Sequence, residues 1–307
     1  MKLSKIQPAI FLMAVATVFA ALDFGCYRHA PAPAVEIKMR AVRDDLGRTI
    51  QIPEKVERVV SLAPSLTEMI FAVGAGDKLV GVTKFCNYPP EAEQIQKVSD
   101  TQTPNIENII ALKPEVVFVS TASQLETFTK MLESQNIAVF VTRPDGLENI
   151  YKSIATVGDI LGTSERADEV VKEMRKRVAR VEELTRGAKR PKVFVQIDKN
   201  SLYTVGKDSF ITDIIARAGG VSATADLPTA YPKLSKETAL ALNPEVIILS
   251  ESSDNREPNE VFRNSPAVKN KRVYSINADL LSRPGPRIVD ALEQISEKLE
   301  QVKIAVN

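Results

Sequence analysis

Two stretches of the chain share one order of polar and apolar positions: "NIENIIALKPEVVFV", from Asn105, and "LSKETALALNPEVIIL", from Leu234. In each, a glutamate (Glu107, Glu237) is followed seven residues later by proline (Pro114, Pro244), then by glutamate and a run rich in β-branched residues. The pattern predicts a short capped helix, a stop at the X-Pro step and a buried strand. The copies lie about 130 residues apart, far beyond a solenoid period. Two related lobes explain them better.

The rest of the chain fits that division. "DDLGRTIQI" alternates around a glycine turn and predicts a hairpin over Asp44 to Ile52. A buried-type strand over Arg58 to Leu62 leads into the helical pattern "PSLTEMIFAVGAG", for which a Ser65-x-x-Glu68 capping box is expected. Strands "KLVGVT", "EVVFVS" and "AVFVT" alternate with helices over Ile106–Leu112, Gln124–Gln135 and Leu147–Leu161. Ala167, Val170, Val171, Met174, Val178 and Val181 then recur at helical spacing with no proline, predicting one long helix over 163–187. After it come strand "KVFVQI", helix "FITDIIARAGG", the second repeat copy, a helix near Glu260, strand "RVYSI" and a helix over Arg287–Lys303. Alternating strands and helices imply mostly parallel sheets. The expected fold class is α/β: two Rossmann-like lobes, residues 44–162 and 188–307, joined by one long rigid helix. The ligand cleft would lie between them, at the strand C-terminal edges.

Composition narrows the function. Basic and acidic residues balance at 40 and 39, so no field invites nucleic acid. The single histidine, His29, lies in a Pro/Ala stretch near the N-terminus, which argues against a metal site or a Ser-His-Asp triad in the folded body. No G-x-S-x-G elbow, P-loop, C-x-x-C or H-E-x-x-H motif is present, and "GAGDKLVG" leaves a helix for a strand, the reverse of a dinucleotide loop. These absences favour a binding protein over an enzyme, although a two-lobed enzyme using a pair such as Asp198 and Asp279 remains the rival from another class.

Residues 1–25 read as a signal peptide, with Lys2 and Lys5 ahead of the apolar run Ala9–Leu22. "LDFGC", ending at Cys26, resembles a lipoprotein signal and makes Cys26 the expected lipidation site, with plain secretion as the alternative. Residues 26–43 read as a flexible tether. With Cys26 acylated or removed, Cys86 has no disulfide partner and is expected as a partly buried free thiol.

"VVSLAPSLTEMIFAVGAGDKLVGVTKFCNYPPEA", "NIENIIALKPEVV", the long helix and "LSKETALALNPEVII" together resemble the helical-backbone periplasmic substrate-binding proteins of ABC importers. Members serve cobalamin, haem and ferric siderophores, and the similarity is greatest to the cobalamin branch. It implies no catalysis, no resident cofactor, a monomer outside the cytoplasm, a corrinoid ligand and membrane permease subunits as partners. By position it implies that Phe85, Tyr203 and Tyr231 face the ligand and that Asp279 and Arg283 meet its rim. The local sequence also allows Phe85 to be core, and Asp279 with Arg283 to be a simple i,i+4 ion pair. Ser120 and Thr101 stand where pocket tryptophans would align, and the chain has no tryptophan. Glu107 and Glu237 match glutamates that pair with permease arginines; on local grounds each could merely complement a helix dipole.

Overall fold

The computed structural model describes residues 38–99, 105–121 and 126–304. The signal segment, Cys26 and Thr101 lie outside the described residues. The chain opens with an antiparallel hairpin, β1 (Met39–Arg43) with β2 (Thr49–Pro53). The hairpin therefore begins five residues before Asp44, inside the stretch read as tether, because Met39–Arg43 continues the alternation that pairs with Thr49–Pro53.

The N-terminal lobe follows as β3 (Val59–Ser61), α1 (Pro64–Ala72), β4 (Leu79–Thr83), β5 (Lys97–Ser99), α2 (Ile106–Ala111), β6 (Val116–Ser120), α3 (Glu126–Ser134), β7 (Ala138–Thr142) and α4 (Leu147–Leu161). Its sheet runs β5-β4-β3-β6-β7, all parallel. Then α5 (Ser164–Thr185) crosses to β8 (Lys192–Gln196), α6 (Phe210–Arg217), β9 (Val221–Ser222), α7 (Lys236–Leu242), β10 (Val246–Glu251), α8 (Pro266–Lys269), β11 (Val273–Asn277), α9 (Ala278–Leu281) and α10 (Ile288–Ile304). The second sheet runs β11-β10-β8-β9, again parallel. The helix expected near Glu260 is a single 3-10 turn, Glu260–Phe262, followed by α8.

Both repeat copies occupy one topological position. β6 pairs with its lobe's first strand, β3, and β10 with β8, the places where strand order reverses. Asn105 and Ser235 cap their helices by accepting from the amides of Asn108 and Thr238. Lys113 and Asn243, at φ 48° and 44°, then turn the chain just before each proline. The glutamate after each proline reaches the neighbouring strand. Glu115 Oε2 accepts from the Glu57 and Arg58 amides, and Glu245 Oε2 from the Lys192 amide, so each satisfies the entry to the neighbouring strand.

At 1.5 Å per residue the 22-residue α5 is about 33 Å long. It holds both lobes: Arg175 pairs with Glu148 on α4, and Arg177 with Asp290 and Glu293 on α10. One apolar cluster runs from Ile52, Leu66 and Ile154 through Val178 and Val181 to Ile211 and Leu299. The lobes thus share a core as well as a connecting helix.

The expected capping box at Ser65 and Glu68 does not form. Pro64 takes the first helical position, where its missing N–H costs nothing, and Ala63 precedes it without a side-chain cap. Glu68 therefore falls inside α1, buried, and serves a different purpose described below.

Candidate functional site

Parallel strands deliver their following loops to one edge, and the loops of both lobes meet there. The opening holds about 420 Å³ and is lined by Thr121, Arg143, Pro144 and Asp145 from the N-terminal lobe and Asp208, Thr229, Ala230 and Tyr231 from the C-terminal lobe. Thr121 follows β6 directly and Arg143 follows β7 directly. The hairpin turn pins this second loop: the Arg143 amide donates to Asp45 Oδ2 at 3.0 Å, and the Asp45 amide to the Val141 carbonyl at 3.1 Å. Arg143 Nε lies 3.5 Å from Asp145 Oδ2, which leaves the exposed Asp208 as the lining carboxylate outside that pair.

Tyr203 and Tyr231 sit on two adjoining segments of the opposite lip. The Thr204 amide donates to Pro232 and the Gly206 amide to Ala230, with a bridge between Tyr203 and Lys233. The close approach requires glycine at 206, since a Cβ there would stand 1.9 Å from the Thr229 carbonyl oxygen. Tyr231 keeps 39% of its surface exposed and Tyr203 41%. Partial burial pushes the Tyr231 pKa up, and a hydrogen bond with Ser209 offsets part of that rise. Phe85, beyond the end of β4, is 48% exposed, with the Lys84 ammonium 5.1 Å from its ring centroid. That exposure decides against the core reading of Phe85.

Asp279 and Arg283 behave differently. They do form the i,i+4 pair, at 2.7 Å, and the pair extends across the lobes. Arg283 Nη1 donates to Glu68 Oε1 at 2.9 Å and to Asn87 Oδ1 at 2.8 Å, and Nη2 donates to the Phe85 carbonyl. Arg287 donates twice more to Glu68, at 2.8 and 2.5 Å, and its guanidinium lies 3.8 Å from the Tyr88 ring centroid. The bonds to Glu68 hold Arg287 above its ordinary pKa. Asn87 Nδ2 donates to Asp279 Oδ2, closing the network. Only 2% of the Glu68 side chain and 10% of the Arg283 side chain is exposed. This is an inter-lobe seam, in which Arg283 is already occupied. A second seam lies at the start of α4, where the Leu147 amide donates to Asp213 Oδ2 of α6 at 2.9 Å.

Sequence reasoning missed Glu68, Asn87, Tyr88, Arg287 and Asp213. Glu68 carried a usable signal, being a charge surrounded by Leu66, Met69 and Ile70 behind a helix-starting Pro64. Cys86 is fully buried, with its sulfur within hydrogen-bonding distance of the Thr67 and Thr83 hydroxyls. Ser120 is buried at the end of β6. Among the described residues no group of three or more His, Cys, Asp or Glu side chains could hold a metal ion, and no helix is long and apolar enough to cross a membrane.

Glu107 and Glu237 occupy matching second positions of α2 and α7, both exposed. Hydrogen bonds from its own amide and from Ser235 hold the Glu237 carboxyl below its ordinary pKa, so it is ionised at neutral pH.

A family profile for periplasmic binding proteins matches residues 59–280. Bacillus subtilis YvrC, an uncharacterised ABC transporter substrate-binding lipoprotein, is 31% identical over 267 residues, 84% of either chain. The crystal structure of the periplasmic vitamin B12 binding protein BtuF of Vibrio cholerae superposes with a TM-score of 0.71 at 28% identity, covering 81% of this chain and 98% of that one. The periplasmic heme-binding protein RhuT from Roseiflexus sp. RS-1 gives 0.70 at 25% identity, covering 79% and 97%. Two parallel-sheet lobes on one helical backbone, with an open mouth between them, are thus shared with solute-binding proteins, and the chain belongs to the periplasmic binding protein family.

Proposed function

We propose that this protein captures a corrinoid of the cobalamin type between its lobes, outside the cytoplasm, and delivers it to the membrane subunits of an ABC importer. The observation that carries the reading is the make-up of the mouth. Tyr231 lines it, and the exposed rings of Tyr203, on the adjoining segment, and of Phe85, on the other lobe, would add broad apolar contact at low rotamer cost. Beside them Arg143 offers a donor, and Asp145 and Asp208 offer acceptors. A corrin rim carrying carboxamides both donates and accepts, so it suits that mixture. The B12-binding relative supports the same choice. Asp279 retains exposed surface for a rim contact, whereas Arg283 acts through the seam.

Haem is the second reading, favoured by the similarity to RhuT and by two exposed tyrosines, a residue type able to ligate haem iron. Parallel calorimetric titrations with cyanocobalamin, cobinamide, haem and a ferric hydroxamate separate the two. Binding of cyanocobalamin with haem silent is the expected result; a haem-only response that loses its Soret shift in Tyr203→Phe or Tyr231→Phe replaces the corrinoid with haem.

Delivery rests on Glu107 and Glu237, which would meet permease cations, and on anchoring through Cys26. Stranding one member of an interfacial charge pair typically costs about 2 to 5 kcal/mol. The double substitution Glu107→Ala, Glu237→Ala should therefore nearly abolish uptake at normal ligand affinity and melting temperature. Cys26→Ser should release the protein from membranes. Full uptake by the double variant, or unchanged membrane retention of Cys26→Ser, removes the corresponding part of the proposal.

A further inference from the structure

We propose that each lobe docks through a composite helix face, in which an aliphatic anchor, Ile110 on α2 or Leu240 on α7, stands beside the carboxylate and fits an apolar depression next to a basic group. The partner presents that combination twice, as two copies of one membrane subunit. The inference rests on the docking reading above and adds residues to it.

The repeat itself supplies the argument. Aligned copy to copy, the exposure pattern is the same from position 111 to 120 as from 241 to 250, so the two backbones hold matching residues at matching depths. Six positions are exposed in both copies. At three of them the copies have diverged: Asn105 against Ser235, Asn108 against Thr238, Lys113 against Asn243. At the other three the residue type is kept: Glu107 and Glu237, Ile110 and Leu240, Ala111 and Ala241. The kept positions are i, i+3 and i+4, which form one face of a helix. Packing within the lobe does not account for them, because Ile110 is 37% exposed and Leu240 59%. The buried position between, Ile109 against Ala239, was free to change size. A single exposed aliphatic residue needs no explanation. One retained twice, in register with a glutamate and a small residue that lets a neighbour approach, describes a contact with an apolar centre and a polar edge. A surface displayed twice by one chain is matched most simply by a partner that is itself duplicated.

The test is site-specific photocross-linking in intact cells making the full chain. A benzophenone amino acid replaces Ile110, Leu240 or, as control, Leu184, which is 61% exposed near the end of α5. Leu184 lies on α5, which carries neither copy of the repeat. The expected result is a cross-link from positions 110 and 240 to one and the same integral membrane polypeptide, with none from 184. Ile110→Ser with Leu240→Ser should also lower uptake by roughly tenfold at unchanged ligand affinity. Cross-links only to soluble proteins or to a second copy of this chain, or none, overturn the proposal. So does full uptake by the double serine variant. Uptake lost in Glu107→Ala, Glu237→Ala while positions 110 and 240 stay silent would retain docking and remove the anchors. Cross-links and uptake that survive that glutamate double variant would retain the anchors and remove the carboxylate reading.

Discussion

The mouth of the cleft and the seam beneath its edge are built from the same residue types, yet they differ in whether those residues are satisfied. At the seam Glu68 accepts from two arginines, and Arg283 donates to Glu68, Asn87 and the Phe85 carbonyl. At the mouth Asp208 and Tyr231 keep exposed surface, and among the described residues the Arg143 side chain has one long contact, to Asp145. Charge alone therefore does not mark a ligand site. A group that is buried and fully bonded specifies how the lobes meet, and the groups left for a ligand are those whose bonding capacity remains open.

The largest expected effect breaks the seam. Glu68→Ala removes the buried acceptor that Arg283 and Arg287 share, leaving Arg283 to Asp279, Asn87 and the Phe85 carbonyl, and removing one partner of a buried pair costs about 3 to 5 kcal/mol. For a domain of this size that corresponds to a fall in melting temperature on the order of 10 °C. The loss should be measurable by calorimetry in the absence of ligand. A variant that melts like wild type would mean the seam is a surface contact and would return Arg283 to the ligand site.

This contrast also separates what could be read in the sequence from what could not. The lobes, the connecting helix and both repeat helices follow from local patterns: alternation, 3.6-residue periodicity, X-Pro stops, Asn105 and Ser235 as caps. The α4 boundaries, Leu147 and Leu161, match the expectation because Gly162 ends the helix in a left-handed turn. The seam joins Glu68 to residues more than 200 positions away, and no local rule encodes that distance. Ser65 and Glu68 fit a capping box so well on spacing that Pro64, the residue that shifts the helix start, was the only local sign against it. Phe85 was ambiguous for a similar reason: an aromatic after a buried strand is core or lining according to which lobe loop closes over it. β5 and β9, three and two residues long, are too short to leave a periodic signal.

A second prediction sharpens the mouth. Tyr231→Ala should weaken the ligand tenfold or more, the size of effect expected for an aromatic anchor, while leaving the melting temperature within about 1 °C of wild type. Arg283→Lys should show the reverse balance, losing stability before affinity, because a lysine cannot reproduce the bonds to Glu68, Asn87 and Phe85 together. Equal losses of affinity in both variants would erase the distinction between seam and mouth.

Motion follows from the same contrast. With the apolar core continuous between lobes and α5 gripped from both sides, closure on a ligand should be a small rocking absorbed near Thr163 and Gly187. Gly187 sits at φ 71° with open space around it. Solution scattering of free and loaded protein should give nearly superposable curves; a large compaction would require the Glu68 seam to open during capture.

The smallest effect concerns one proton. Burial raises the Tyr231 pKa, and hydrogen bonding with Ser209 does not fully reverse it. The folded protein therefore favours the neutral phenol. The sign follows directly: the contribution is fully present below the unfolded value of about 10 and is lost as pH rises through the folded value. Across the neutral range Tyr231 stays uncharged, so ligand affinity should not vary with pH on its account. The near-ultraviolet phenolate absorbance that disappears in Tyr231→Phe should titrate above the ordinary phenol range. If that absorbance instead titrates in the ordinary range, at about 10, the Tyr231 site does not disfavour the phenolate, and the reading of its phenol as held neutral by burial fails.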